Sequence, residues 1–341
     1  MKAIVCTKYG PPDVLQLKEV AKPTPNEDEA LIKVYAASLN AGDFEILRGT
    51  WSARFGGPLK PMHRILGSDI AGRIEAVGRN VKHFQPGDEI WGDLSLLGYG
   101  AFAEYVCVPE NALRRKPTRM TFEEAAAIPS AGIVALQNLR GVGSASPSLF
   151  LSDKGNIQPG QKVLINGAGG GVGTFAVQIA KSRGAEVTGV DSLSKLDMLR
   201  SIGADHVINY TQEDFTKSGQ RYDLILDVVA SRSIFAYRRV LSPKGVFVMV
   251  GGSLVAILQA FLLGPLISMT GSKKMGTVMW KPNHQADLAI LEELFEAGKV
   301  KPVIDRCYLL SEVPAALRYL EEGRAQGKVA ITIAQQQNLS L

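Results

Sequence analysis

The chain has 341 residues, 46% of them hydrophobic and 21% charged, which is room for two domains with two cores. Its net charge of +5 is mild and scattered, apart from Arg114-Arg115-Lys116 and Lys273-Lys274. That pattern describes a solvated surface with a modest pull on anionic ligands and excludes a nucleic-acid footprint.

The N-terminal run Met1-Lys2-Ala3-Ile4-Val5-Cys6 enters a strand and then a Gly10-Pro11-Pro12 turn, with no apolar stretch of signal-peptide length. Cysteines Cys6, Cys107 and Cys307 are odd in number and too far apart for a CxxC motif. A disulfide framework is therefore not expected, and a reducing, cytoplasmic setting is.

Residues 1–122 read as short strands, at 30–36, 70–77 and 103–108, punctuated by turns such as Gln85-Pro86-Gly87-Asp88. This is an irregular, mainly antiparallel domain. From 123 to 281 helices and strands alternate. A helix is expected over 121–139, then a strand, a glycine-rich turn and a helix stopped by Gly184. A strand at 186–190 runs into Asp191, and a helix at 195–202 precedes strands at 206–209, 224–228 and 246–250. Such alternation makes a doubly wound parallel sheet, an α/β fold. Residues 282–341 hold amphipathic helices at 285–297 and 314–322 and a last strand at 328–333, expected to rejoin the first domain.

The most informative stretch is Val163-Leu164-Ile165-Asn166-Gly167-Ala168-Gly169-Gly170-Gly171-Val172-Gly173. An apolar strand delivers the chain into five glycines, whose small size permits a tight turn and close backbone approach to a pyrophosphate at a helix N-terminus. Asp191 follows about 20 residues later, the interval at which an acid meets an adenosine ribose. Together these features point to a Rossmann dinucleotide-binding domain. Its contacts are expected from Ala168, Gly170, Gly171, Val172 and Gly173 in the turn, and from Val228, Gly251, Gly252 and Ser253 at the ends of later strands.

The chain resembles the medium-chain dehydrogenase/reductase superfamily, in its zinc-free quinone oxidoreductase-like branch, over nearly its whole length. The matching segments are Ala36-Ala37-Ser38-Leu39-Asn40 with Asp43, Leu66-Gly67-Ser68-Asp69, Gly100-Ala101-Phe102-Ala103-Glu104-Tyr105, the glycine turn, and residues 199–210 and 222–227. The resemblance implies a GroES-like catalytic domain formed from both chain ends around the Rossmann domain, an active site in the cleft between them, and a homodimer. Where zinc-dependent relatives carry a catalytic cysteine and a His-Glu pair, this chain has Asn40 and Ser68-Asp69, and His63, His83, His206 and His284 are dispersed. No metal site is expected.

Without a Lewis acid, making an alkoxide from an alcohol is hard, whereas a quinone or an α,β-unsaturated carbonyl already delocalises the charge that hydride brings. The expected activity is NAD(P)H-dependent reduction of a small hydrophobic quinone or enone. An alcohol/aldehyde oxidoreductase, or a catalytically silent nucleotide-binding protein, is the alternative. Asn40 is the first candidate for a polar contact to substrate oxygen or cofactor ribose, and Tyr99, between Gly98 and Gly100, is a candidate proton donor. Glu45 and Val134 stand where relatives often carry a tyrosine and a threonine.

Cofactor choice is contested. Asp191 favours NAD, whereas Ser192, Lys195 and Tyr210 resemble the residues that grip the 2′-phosphate of NADP. Two segments depart from the family pattern. Residues 141–152 read as a Gly- and Ser-rich surface insertion. Residues 254–267 are strongly apolar but interrupted by Gly264-Pro265 and too short to span a bilayer. Their simplest reading is a buried wall of the substrate pocket, with peripheral membrane contact as the alternative.

Overall fold

A computed structural model describes residues 1–51, 53–55, 57–140, 157–278 and 280–333. The expected insertion at 141–152 lies outside the described residues. Two compact units emerge, one of Met1–Ser130, Pro282–Glu292 and Ile304–Leu341, the other of Ala131–Lys281 and Glu293–Val303.

In the first unit, β1 (Lys2–Val5) pairs antiparallel with β2 (Gln16–Glu19). The main sheet is built on β3 (Glu29–Ser38) and its antiparallel neighbour β4 (Asp69–Val77). β5 (Glu89–Asp93) extends it beyond β4, β6 (Tyr105–Pro109) pairs with β3, and β7 (Leu113–Arg115) pairs with β5. Gly72 is required where β3 and β4 close on each other, because a Cβ there would stand 2.3 Å from the carbonyl oxygen of Lys33. Helix α1 (Ala41–Arg48) follows β3 directly and ends on Gly49, whose φ of 66° is the left-handed C-terminal cap.

The expected helix at 121–139 is two helices, α2 (Phe122–Ala127) and α3 (Pro129–Arg140). Pro129 is the cause: Ile128 before it keeps helical φ and ψ, but Pro129 has no N–H to continue the ladder, and it suits the first turn of a new helix. α2 packs on β3 and β4, so the first unit runs on to Ser130.

In the second unit the strands are β8 (Lys162–Asn166), β9 (Glu186–Asp191), β10 (His206–Asn209), β11 (Tyr222–Asp227), β12 (Leu241–Met249) and β13 (Lys274–Thr277). All pair in parallel, in the order β10-β9-β8-β11-β12-β13. Counted from β8 this is 3-2-1-4-5-6, the Rossmann order. The strand order reverses between β8 and β11, where Asn166 Nδ2 donates to Asp227 Oδ1 at 2.9 Å. Helices α4 (Gly171–Ser182), α5 (Leu196–Ser201), α6 (Ile234–Val240) and α7 (Leu254–Thr270) connect the strands. The expectation of a buried wall at 254–267 is overturned: Leu254, Leu258, Phe261, Leu262 and Leu266 of α7 are more than half exposed. Its small residues face the sheet instead, for a reason taken up below.

After α8 (Gln285–Glu296) the chain returns to the first sheet through β14 (Ile304–Leu309), α9 (Val313–Glu321) and β15 (Lys328–Thr332). β15 lies antiparallel to β3, with Ala330 opposite Ser38, and parallel to β14. The last strand thus rejoins the first unit as the sequence implies.

The start of α2 offers a direct check on this local reading. Thr121 Oγ1 accepts from the Glu124 N–H at 3.1 Å while Glu124 Oε2 accepts from the Thr121 N–H at 2.9 Å, a reciprocal cap. Thr121→Ala is expected to cost about 1 kcal/mol, seen as a lower urea midpoint with an unchanged slope.

Candidate active site and cofactor cradle

In the second unit the glycine turn lies at the carboxyl end of β8, where ligands of such sheets bind. Gly167 has a φ of 78°, a left-handed turn that favours glycine. Ala168 is buried, its N–H donating to Val190 O at 3.1 Å. Gly170 caps α4 in extended conformation with no side chain in the way, and Gly171, Val172 and Gly173 form the first turn. Their N–H groups have no acceptor within the helix and are the natural anion donors. The glycines do different work. A Cβ on Gly173 would meet Gly167 O at 2.2 Å and Ala168 O at 2.5 Å, whereas one on Gly170 meets nothing nearer than 3.6 Å.

The residues that contest cofactor choice come together where β9 and β10 end, since Asn209 pairs with Asp191 and the Tyr210 N–H donates to Asp191 O. The buried Asp191 carboxylate is already engaged, with Oδ2 accepting from Gly169 N–H and Oδ1 from Ser192 N–H, each at 2.8 Å. Lys195 Nζ stands 3.6 Å from Oδ1. Acid and lysine, expected to pull in opposite directions, neutralise one another. Ser192 Oγ lies 3.3 Å from Ser194 Oγ, and Tyr210 is exposed.

Val228 and Val229 follow β11 and pack against the turn, since a Cβ on Gly167 would meet them at 3.1 to 3.3 Å. Gly251 O accepts from Ala230 N–H. Gly252 leaves no room for a Cβ, which would stand 2.3 Å from Ala230 O. Ser253 spends its hydroxyl as the cap of α7, accepting from Ala256 N–H at 3.3 Å.

The first unit holds a second cluster, wholly its own. Asn40 Nδ2 donates to Ser68 Oγ at 3.1 Å and to Asp69 Oδ2 at 2.9 Å, and Asn40 Oδ1 accepts from Lys328 Nζ at 2.7 Å. Lys328 Nζ also donates to Leu39 O at 2.9 Å and Asp69 Oδ2 at 3.3 Å, and both charged side chains are buried. Both hydrogens of Asn40 Nδ2 are spent inside the cluster, which leaves Oδ1 with a lone pair to offer. Below it the buried Asp43 accepts from the N–H of Asn40 at 2.7 Å and of Gly67 at 3.2 Å. Burial drives its carboxyl up to about 7 in spite of those bonds.

Tyr99 is half-buried on a contorted loop: Gly98, Tyr99 and Gly100 have φ of 110°, 60° and 113°. A tyrosine in the left-handed region is uncommon and costs conformational energy. Its ring lies 5.1 Å from that of His63, and burial followed by the charges of Asp43 and Asp93 raises the phenol's pKa.

Residues 26–118 match the alcohol dehydrogenase GroES-like domain family and residues 202–331 the zinc-binding dehydrogenase family. The chain is 35% identical over 342 residues to 2-methylene-furan-3-one reductase of Solanum lycopersicum, spanning 97% of this chain and 79% of that protein. It is 34% identical over 368 residues to the mitochondrial NAD(P)H oxidoreductase RTN4IP1 of Mus musculus, spanning 98% and 89%. The solved quinone oxidoreductase from Coxiella burnetii superposes with a TM-score of 0.85 at 29% identity, over 98% of this chain and 99% of that one. The chain belongs to the medium-chain dehydrogenase/reductase superfamily. Within that superfamily it falls in the quinone oxidoreductase and alkenal reductase branch.

A catalytic zinc, which the second family description implies, does not fit the residues of this chain. Zinc takes thiolate, imidazole and carboxylate donors, whereas the Asn40-Ser68-Asp69 cluster offers an amide, a hydroxyl and one carboxylate already bonded to the Lys328 ammonium. Among the described residues no group of three or more His, Cys, Asp or Glu side chains is placed to hold a metal. Sequence reasoning missed Lys328 as part of the site. Its signal was a lysine opening the otherwise apolar strand Lys328-Val329-Ala330-Ile331.

Gly173→Val is expected to lower NADPH affinity at least about tenfold, with Gly170→Ala close to wild type, measured by quenching of protein fluorescence in folded variants. A second expectation concerns pH. An acid whose pKa is raised on folding favours the folded state below its unfolded value of 3.8, and that contribution is lost as pH rises towards 7. Asp43→Asn should therefore gain stability relative to wild type between pH 4 and pH 7, measured by urea unfolding across that range.

Proposed function

We propose that this chain is a zinc-independent NAD(P)H-dependent reductase whose acceptor is a small hydrophobic quinone or α,β-unsaturated carbonyl. The observation that carries the reading is the ammonium of Lys328 bonded to Asn40 and Asp69, at positions where zinc-dependent relatives hold metal ligands. A fixed cation with no exchangeable coordination sites cannot ligate and ionise an alcohol, which favours acceptors that need no Lewis acid. The names of the relatives, a furanone reductase and an NAD(P)H oxidoreductase, support the same class.

A bound reduced nicotinamide would supply the hydride. In the second unit, the N–H groups at Gly171, Val172 and Gly173 would hold its pyrophosphate, with Ala168, Gly170, Val228, Gly251, Gly252 and Ser253 as the further residues that would meet it. Asp191, Ser192, Lys195 and Tyr210 meet the adenosine ribose. In the first unit, Asn40 accepts from a hydroxyl through Oδ1, its Nδ2 being committed to Ser68 and Asp69. Tyr99, kept protonated by burial and by Asp43 and Asp93, gives the proton that the reduced acceptor's oxygen needs.

Purified protein should oxidise NADPH or NADH with members of a quinone and enone panel, followed by absorbance of the reduced cofactor. Binding of cofactor without turnover of any acceptor would make it a silent nucleotide-binding protein, and about one zinc per chain by elemental analysis, essential for activity, would defeat the zinc-independent reading. Tyr99→Phe is expected to lower kcat by roughly a hundredfold at unchanged KM for NADPH. Asp191→Asn unpairs Lys195 and should raise the ratio of kcat/KM for NADPH over NADH by about tenfold, while Lys195→Ala should lower it.

A further inference from the structure

Helix α7 is apolar all round: Leu254-Val255-Ala256-Ile257-Leu258-Gln259-Ala260-Phe261-Leu262-Leu263-Gly264-Pro265-Leu266-Ile267-Ser268-Met269-Thr270 contains no charged residue. On such a helix, size decides which side faces the protein. The buried positions are Ala256, Ala260, Gly264, Ile267 and Ser268, mostly small. Gly264 shows why: a Cβ there would stand 2.8 Å from Met275 O on β13, so the helix lies against the sheet edge only with its small residues inward. The large residues are turned outward. Leu254, Leu258, Phe261, Leu262, Leu266 and Met269 cover an arc of about 140° at 100° per residue, and Met269 is 81% exposed. This inverts the arrangement of a helix on a water-facing surface.

The sequence segment that carries this face is uniformly basic, although Arg232 within it pairs with Asp214. Residues 228–286 contain seven cations, Arg232, Arg238, Arg239, Lys244, Lys273, Lys274 and Lys281, and no Asp or Glu. The segment carries +7, which leaves the rest of the +5 chain at −2. Beside the C-terminal end of α7, Arg221, Arg238, Arg239 and Lys273 line a groove with the exposed ring of Phe235, and its lining includes no carboxylate among the described residues. Burial and the charges of Arg221 and Arg238 hold the Lys273 ammonium below its usual pKa, the mark of cations gathered without counter-charge.

We propose that the outer face of α7 and the basic groove beside it form a docking surface for a bilayer containing anionic phospholipid. An apolar helical face flanked by Lys and Arg binds such an interface by burying its side chains among acyl chains while the cations meet headgroups. The helix lies in the interface and does not cross it, for no helix of the described residues is long and apolar enough to span a membrane. A second copy of the chain is the competing occupant. A two-fold contact through this face would bring the same cations of two copies towards each other, whereas an anionic surface supplies the counter-charge.

The test is flotation of the full chain with vesicles of phosphatidylcholine alone, or of phosphatidylcholine and phosphatidylglycerol in equal parts, at low and high salt. The chain should float with the anionic vesicles only, and less so at high salt. Phe261→Glu with Leu262→Glu, and separately Arg238→Gln with Lys273→Gln, should each weaken vesicle binding by roughly tenfold or more at the wild-type urea midpoint. Failure to float with anionic vesicles, or equal flotation of both variants and wild type, would overturn the proposal. So would a wild-type dimer that sedimentation shows to become monomeric in the Phe261→Glu, Leu262→Glu variant, which would give the face to a second copy.

Discussion

Burying the ammonium of Lys328 is the constraint on which the first unit is organised. An unpaired buried charge costs several kcal/mol, so once β15 carries this lysine into the sheet it must be met by a carboxylate and further acceptors. Asp69, opening β4, supplies the charge, and Leu39 O and Asn40 Oδ1 supply the rest. The consequences spread through short bonds. Asn40 is locked with its amide group towards Ser68 and Asp69, its own N–H is taken by Asp43, and Asp43 in turn fixes the backbone at Gly67. Asp69 Oδ1 also accepts from Ser130 N–H at 3.0 Å, tying the chain after α2 to the same carboxylate.

The second unit uses an acid in the same manner. Asp191 bridges the glycine turn to the start of the next connection by accepting from Gly169 and Ser192, and Lys195 keeps its charge compensated. The side chain that meets a cofactor ribose in this fold thus also shapes the turn that meets the pyrophosphate. Substitutions here act on two things at once, the charge at the end of β9 and the geometry of the turn. The two units share a logic in which a buried carboxylate orders polar backbone around a ligand-facing loop.

Much of this architecture is legible in the residues. The glycine turn between an apolar strand and a helix, with Asp191 following, points to a Rossmann-type parallel unit because each element is a local pattern: alternation, helical spacing, and turns that only small residues can make. The same holds for the last strand, whose apolar run is itself local. Where the elements differ from the expected ones the cause is again local, as with Pro129 dividing the helix expected at 121–139.

What the sequence by itself determined is therefore the class of fold, the position of the glycine-rich turn, and the presence of Asn40 and Ser68-Asp69 where zinc-dependent relatives carry metal ligands. Tertiary structure alone decided that Lys328, 259 residues beyond Asp69, completes that cluster, and that α7 turns its large side chains outward. Each has its own physical reason. Pairing of buried charges depends on which strands become neighbours in space, and a helix that is apolar on every side carries no periodicity to orient it, so the carbonyl of Met275 against Gly264 settles its facing.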